Sequence, residues 1–426
     1  MADGRSAVVT GLGAISPIGV GIPAYGEGLR TGRSGVGLLG FEHPRMVSTV
    51  GAACSGFDPG SVLSGAELAR VPRLVPMALA ACREALTAGG LDDGSGRCVE
   101  SAAARTGLIL GTGAGGIDFT LAQAERAYVE RGRPSLWTIT NATHGNLAGE
   151  LSIALGLRGP SWCVSTGCGS SSDAIGQGLL LLRAGVCDRV VACGADAHIR
   201  WETLTGMELL GVISTRDWRG DPAGAATASR PFDATRDGFV LGEGAWALVL
   251  TREGLEDNRG LGRVVGYGAT CDAYHRVRPD PSMAESARAM RLAMDDAGIE
   301  PERVSVLHYH GTGTAVNDVA ETRAVRAAFG GHAERLMGHS VKSQIGHPQG
   351  ACGAAAVVAT LIGLGGLDGG DPFVPPTLNL REPGEGCDLD YTPERARPMD
   401  TDGRGAVALV NCLAFGSKNS ALIVGA

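Results

Sequence analysis

The amino-acid sequence predicts an α/β fold in two comparable halves, and three observations carry that reading. Short β-branched runs alternate with Ala- and Leu-rich stretches along all 426 residues, with glycines between them, which is the pattern of strands and helices in turn. Several of the strand-like runs are apolar throughout, as strands buried on both faces are. Residues 252–262 are polar and charged between two such runs, and they divide the chain into an N-terminal half, 1–252, and a C-terminal half, 253–426. Each half runs strand, helix, strand, helix and ends in strands, but no letter-by-letter repeat is visible.

In chain order, strands are expected at residues 6–10, 106–110, 189–193, 245–250, 304–309, 406–410 and 421–424. Helices are expected at 75–88, 172–184, 283–297 and 318–329; the last opens with Asp-Val-Ala-Glu, acidic residues suited to the positive end of a helix. Residues 11–16, Gly-Leu-Gly-Ala-Ile-Ser, follow the first strand like a dinucleotide fingerprint. Ser stands at the sixth position, however, and no suitable acidic residue follows about 20 positions later, so the segment is read as a tight turn.

Composition narrows the function. With 44% hydrophobic and 19% charged residues and no apolar run of membrane-span length, the chain reads as an ordinary soluble protein. The opening MADGRSAVVTGLG lacks a basic stretch followed by an apolar segment and a cleavage site, so no export signal is expected and a cytoplasmic location is. Eleven cysteines without a CxxC pair point to reduced thiols, most of them small core residues. A net charge of −8 argues against nucleic acid as a partner. Of the 37 cationic residues only Lys342 and Lys418 are lysines, and a lysine kept in such a background is a candidate for chemistry arginine cannot supply.

Four segments carry chemistry. Residues 161–173, SWCVSTGCGSSSD, run from a strand through small residues into a helix, the form of a nucleophile elbow, and place Cys168 where a helix N-terminus favours thiolate and backbone N–H groups face an oxyanion. The apolar run 304–309 delivers His310 onto Gly-Thr-Gly-Thr, whose glycines are expected to leave space for a ligand. His308 would share a strand face with His310, but no third ligand has recognisable metal-site spacing, so no metal is expected. SVKSQIGHPQG sets Lys342 and His347 five residues apart ahead of an Ala-rich, buried-looking helix, where such polar groups are costly unless paired or functional. Residues 411–419, NCLAFGSKN, follow a strand as a backbone-shaping loop.

Together with VVTGLGAISPIG, RPFDATRDGFVLGEG (230–244) and Asp272-Ala-Tyr-His275, these seven ordered motifs resemble the condensing enzymes, specifically the elongating β-ketoacyl-acyl carrier protein synthases of type II fatty acid and polyketide synthesis. The resemblance spans essentially the whole chain. It implies a thiolase-like fold, two pseudo-duplicated halves in five layers (α-β-α-β-α), and a dimer formed through the strand near the nucleophile, either a homodimer or a heterodimer with a chain-length-factor-like homologue. It also implies acyl transfer to Cys168 and decarboxylative condensation with a malonyl unit, extending the chain by two carbons. In that scheme Cys168 and Phe415 supply the oxyanion-hole N–H groups, and His310 and His347 handle the malonyl group. Lys342 orients His310, Thr312 and Thr314 hold the pantetheine arm, and Glu321 is a structural partner of Lys342, with Asp318 beside the site. An acidic acyl carrier protein is the implied partner, docking on Arg70, Arg73 and Arg216. No metal or diffusible redox cofactor is implied.

Three departures from the family pattern stand out. The loop usually written Gly-Phe-Gly-Gly-Thr is Ala414-Phe-Gly416-Ser-Lys418, expected to be stiffer and more polar. A Glu usual nine residues after the second His is Ala356, and the position of a bulky acyl-pocket gate is Ala114, which hints at a polyketide or polyene substrate. Housekeeping fatty-acid elongation, and a noncatalytic chain-length-factor-like subunit, are the alternatives; the latter lack the cysteine that Cys168 provides.

Overall fold

The computed structural model describes residues 6–255, 260–365, 371–399 and 405–425. Part of the expected junction at 252–262 therefore lies outside the described residues. An eleven-stranded sheet runs through the molecule. Ten of its strands are β1 (Ala7–Ser16), β2 (Thr106–Gly111), β3 (Ser161–Val164), β4 (Arg189–Asp196), β5 (Gly244–Arg252), β6 (Arg263–Cys271), β7 (Val306–His308), β8 (Met337–His339), β9 (Val407–Ala414) and β10 (Lys418–Gly425). The eleventh, Gly19–Val20, folds back on the end of β1.

The spatial order β8-β7-β9-β10-β6-β1-β5-β4-β2-β3 conceals a duplication. In the N-terminal half the first five strands lie in the order third, second, fourth, fifth, first, and the five C-terminal strands repeat that order. The directions repeat as well. The second strand is parallel to the third and fourth, while the fifth is antiparallel to the fourth and first, in both halves. The two five-stranded sheets meet edge to edge where Ala7 and Val8 pair with Val264 and Arg263.

Five helices complete the layers: α1 (Leu74–Ala88), α2 (Ser170–Arg183), α3 (Ala284–Ala297), α4 (Asn317–Phe329) and α5 (Cys352–Gly363). Helices α2 and α5 pack against strands of both sheets and form the middle layer; α1 covers the outer face of the N-terminal sheet, and α3 with α4 that of the C-terminal sheet. The result is the expected α-β-α-β-α sandwich. Every residue of α5 is buried, which explains its Ala-rich composition: a helix between two sheets has no polar face to offer.

Helices α2 and α5 meet through small residues. A Cβ on Gly353 would lie 2.3 Å from the Ser172 hydroxyl, and the Ser171 hydroxyl accepts from the Ala354 N–H at 2.9 Å. Because each follows the third strand of its half, this contact sets the two corresponding helix N-termini side by side, and those termini carry Cys168 and the residues after His347.

The segment Gly11–Ser16, expected as a turn, is instead the second half of strand β1. Its glycines serve close packing: a Cβ on Gly11 or Gly13 would sit 2.0 or 1.9 Å from the carbonyl oxygens of Ala85 and Ala81 in α1. The other expected elements are present with ends shifted by up to six residues, while strand β6 and helices such as Ile117–Tyr128 and His144–Leu155 were not expected.

Candidate active site

Cys168 sits in a single turn, Gly167–Gly169, between β3 and α2, and is 3% exposed. Gly167 has φ +69°, a left-handed conformation that turns the chain into the helix without the strain a side chain would bring. Burial pushes the Cys168 thiol up to about 12, with Cys352 adding to the rise and Lys342 and the N–H of Phe415 opposing it. The sequence reading expected the helix N-terminus to favour thiolate; desolvation in a closed pocket outweighs that partial charge, so the resting group is a thiol. Its sulfur lies 3.7 Å from the Gln349 side-chain oxygen.

His310 follows β7, the central strand of its parallel trio. The Glu321 carboxylate of α4 accepts the His310 N–H at 2.6 Å, the Gly311 N–H at 2.8 Å and the Asn411 amide at 2.6 Å. These three donors, and not the expected Lys342, are the hydrogen-bond partners of Glu321; burial pushes its carboxyl up to about 7. Lys342 turns to His310 itself, donating to its carbonyl oxygen at 2.5 Å with Nζ 3.4 Å from Nδ1. Desolvation, assisted by the Lys342 charge, drives the His310 ring down to about 3, so it is neutral at physiological pH.

The loop after His310 is drawn around Asp318, whose carboxylate accepts N–H groups from Thr312, Gly313 and Phe232. Thr312 and Thr314 join their hydroxyls at 2.9 Å. Gly311 does not leave space for a ligand, since a Cβ there would lie 2.7 Å from the Ser340 side chain and 2.8 Å from the Phe232 ring. Its φ of +36° and the +78° of Gly313 show the need instead: a sharp loop packed hard against its neighbours.

His347 is held by the 230–244 motif. Its N–H donates to the Val240 carbonyl at 2.7 Å, its carbonyl accepts from Gly242 at 3.0 Å, and the Phe239 ring meets the imidazole edge-on at 5.1 Å. Burial lowers its pKa also. The rings of His310 and His347 stand perpendicular, 5.4 Å apart, and the Cys168 sulfur and a nitrogen from each lie within 4.8 Å of one another.

These three groups close the buried end of a cavity of about 290 Å³. Its walls include Phe239, Val277, Thr312, Thr314 and Phe415, with the more exposed Leu210 and Val316 at the open end and Asp272, Arg278 and Lys418 also on the wall. Lys418 has no ion pair among the described residues. Ala114 and Gly416 do not line this cavity; the Ala114 N–H donates to Asp196, and Gly416, at φ +84°, shapes the turn between β9 and β10. That turn is pinned as its polarity suggests. The Ser417 hydroxyl donates to the His275 carbonyl at 2.7 Å and accepts from the His275 N–H at 3.1 Å.

Sequence reasoning missed Asp196, Asn411, Cys352 and Cys412. Asp196 is fully buried at the end of β4 and accepts from Thr112, Gly113, Ala114 and Gly350, tying the nucleophile's half to the helix start of the other. A carboxylate ending an apolar strand was the signal available for it. His308 lies apart from both clusters of potential ligands, packed edge-on against His339 at 4.5 Å. Of the expected docking residues, Arg73 is committed to the buried Glu243 by two bonds of 3.0 and 2.7 Å, whereas Arg70 and Arg216 lie over the rings of Trp137 and Trp218.

A buried thiol between two neutral imidazoles, reached through an apolar cavity and faced by a backbone N–H, suits transfer of an acyl group to sulfur and proton handling at a second thioester. The comparisons agree. Residues 5–255 match the N-terminal domain of β-ketoacyl synthases and residues 261–381 the C-terminal domain. A 3-oxoacyl-[acyl-carrier-protein] synthase 2 of Synechocystis sp. is 36% identical over 424 residues, covering 98% of this chain and 97% of the relative. Among solved structures, the ishigamide ketosynthase/chain length factor superposes with a TM-score of 0.86 at 30% identity, covering 99% of each chain. A β-ketoacyl synthase from Burkholderia phymatum gives 0.86 at 28%, also over 99% of each. Matched in both halves and over nearly its full length, the chain belongs to the β-ketoacyl synthase family of condensing acyltransferases.

Proposed function

We propose that this β-ketoacyl-acyl carrier protein synthase elongates chains in a type II polyketide pathway, with a polyene as product. The observation that carries the catalytic reading is the convergence of Cys168, His310 and His347 within 4.8 Å at the closed end of the cavity. Cys168 gives its proton to a neutral imidazole as its sulfur attacks the acyl thioester, and the N–H groups of Cys168 and Phe415 receive the oxyanion. After the carrier leaves, a malonyl thioester enters. His310 and His347 donate to its carbonyl oxygen as CO₂ departs, and the resulting enolate carbon attacks the acyl-cysteine, giving a chain two carbons longer. Thr312 and Thr314 on the wall hold the pantetheine arm, and Lys342, through the His310 carbonyl, keeps that ring in place.

The polyketide assignment is supported by the likeness to the ishigamide ketosynthase/chain length factor. Fatty-acid elongation is the second reading, favoured by the 36% identity to the Synechocystis synthase. The carrier protein docks on Arg70 and Arg216; Arg73 is better regarded as the partner of Glu243. The edge strand β3 pairs with a second copy or with a chain-length-factor-like homologue.

Mass spectrometry of the full chain incubated with acyl- and malonyl-carrier proteins tests this reading. Acyl mass on Cys168, CO₂ release and a product longer by two carbons are expected from the wild type and absent from Cys168→Ala. Preference for a polyunsaturated over a saturated acyl group decides for the polyene pathway; the reverse preference decides for fatty acids. Wild type that transfers acyl groups without releasing CO₂ is an acyltransferase and not a condensing enzyme.

A further inference from the structure

Two thiols that the reaction does not use lie directly behind His310. Cys352 at the start of α5 and Cys412 in β9 are 3% and 2% exposed, and their sulfurs are 3.6 Å apart. The Cys412 sulfur is 3.6 Å from His310 Nδ1, and the three potential ligand atoms all lie within 4.8 Å of one another. Tetrahedral zinc with its usual bond lengths separates two sulfurs by roughly 3.8 Å and a sulfur from a nitrogen by roughly 3.6 Å, so the groups already stand close to the edges of that polyhedron.

We propose that His310, Cys352 and Cys412 form a binding site for a thiophilic divalent cation of the zinc class, and that its occupation shuts the condensing site. Both sulfurs also lie 3.1 Å from the Cys168 carbonyl oxygen, which is placed to serve as a fourth ligand. Binding displaces the protons the two sulfurs hold, and the dication with two thiolates is neutral overall. That balance matters because the Lys342 ammonium lies 3.4 Å from His310 Nδ1: it faces a neutral complex and not an added double charge. Inhibition follows from geometry. The metal claims His310, which lines the reaction cavity, and pulls on the carbonyl of the nucleophile itself. Sequence spacing offered His310 no ligand partners; the fold brings two from positions 42 and 102 residues away.

The inhibition arm rests on the proposed condensing activity, whereas the binding arm does not. The full chain, carrying Cys271→Ser to remove an exposed thiol, is titrated with Co²⁺ under reducing, metal-free conditions, and Zn²⁺ is then used to displace it. One equivalent of Co²⁺ with thiolate charge-transfer and tetrahedral visible bands is expected. It should persist in Cys168→Ala and disappear in both Cys352→Ala and Cys412→Ala. The serine variants, closer in volume, carry the same expectation should an alanine variant fail to fold. Zn²⁺ should inhibit condensation by the wild type at concentrations at least tenfold lower than it inhibits Cys352→Ala. Loss of the bands in Cys168→Ala would place the metal on the catalytic trio and overturn the proposal, as would their survival in Cys352→Ala or the absence of any bound Co²⁺.

Discussion

At the residue scale, the site is organised by buried groups that never meet substrate. Glu321 satisfies the N–H groups of His310 and Gly311 and the amide of Asn411 with one carboxylate. Glu321→Ala leaves those donors buried and unpaired, a cost of about 2–4 kcal/mol, and should lower kcat by at least tenfold while the chain still folds; chemical denaturation with steady-state kinetics checks both. Lys418 differs in kind, being a half-buried cation on the cavity wall. Lys418→Thr should raise KM severalfold for phosphopantetheine-bound substrates and leave short thioesters lacking the phosphate unaffected. An equal change for both substrate types would show that the cation shapes the loop and binds no anion.

At the element scale, the spacing between β1 and α1 depends on glycines. Gly13→Ala would drive a methyl to 1.9 Å from the Ala81 carbonyl oxygen, and because both partners are backbone, neither yields cheaply. A loss of about 3 kcal/mol is expected, visible as a lower Tm with the catalytic residues untouched. The β9–β10 turn is the second case. Ser417, at φ +63°, accepts a strained conformation while its hydroxyl bridges to His275. Ser417→Ala should speed amide hydrogen exchange across 415–418 and change the rate of acyl transfer more than the stability of the protein.

For the whole molecule, the charge state of the core sets the response to pH. Burial depresses His308, His310, His339 and His347, with His310 and His339 near 3. A histidine neutral in the fold and protonated when unfolded contributes stability above its unfolded value near 6.5 that is lost as pH falls toward the folded value, at up to about 1.4 kcal/mol per pH unit for each ring. Glu321, raised to about 7, works in the opposite sense between its unfolded value near 4.5 and 7, as do Glu84, Asp118 and Asp318, whose carboxyls burial also raises, but each of these starts from an unfolded value well below that of the rings. Denaturation midpoints should therefore fall steadily from pH 6.5 to 4.5, and a flat profile would show that the rings are already charged in the fold.

The sequence by itself determined the α/β class, most of the strands and the ordered motifs that contain Cys168, His310, His347 and Lys342, because apolar runs and glycine-marked loops are local patterns. A glycine pattern also led it astray: Gly11–Ser16 looks like a turn until α1 is laid against it, since a glycine needed for close approach reads the same as one needed for a bend. Only the tertiary structure revealed the repeated strand order, which lives in pairing and not in letters. It also decided that Cys168 rests as a thiol, that Glu321 serves backbone N–H groups and not Lys342, and that Cys352 and Cys412 stand behind His310. Those outcomes depend on desolvation and on distances between segments scores of residues apart, and both come into being when two sheets close over α2 and α5.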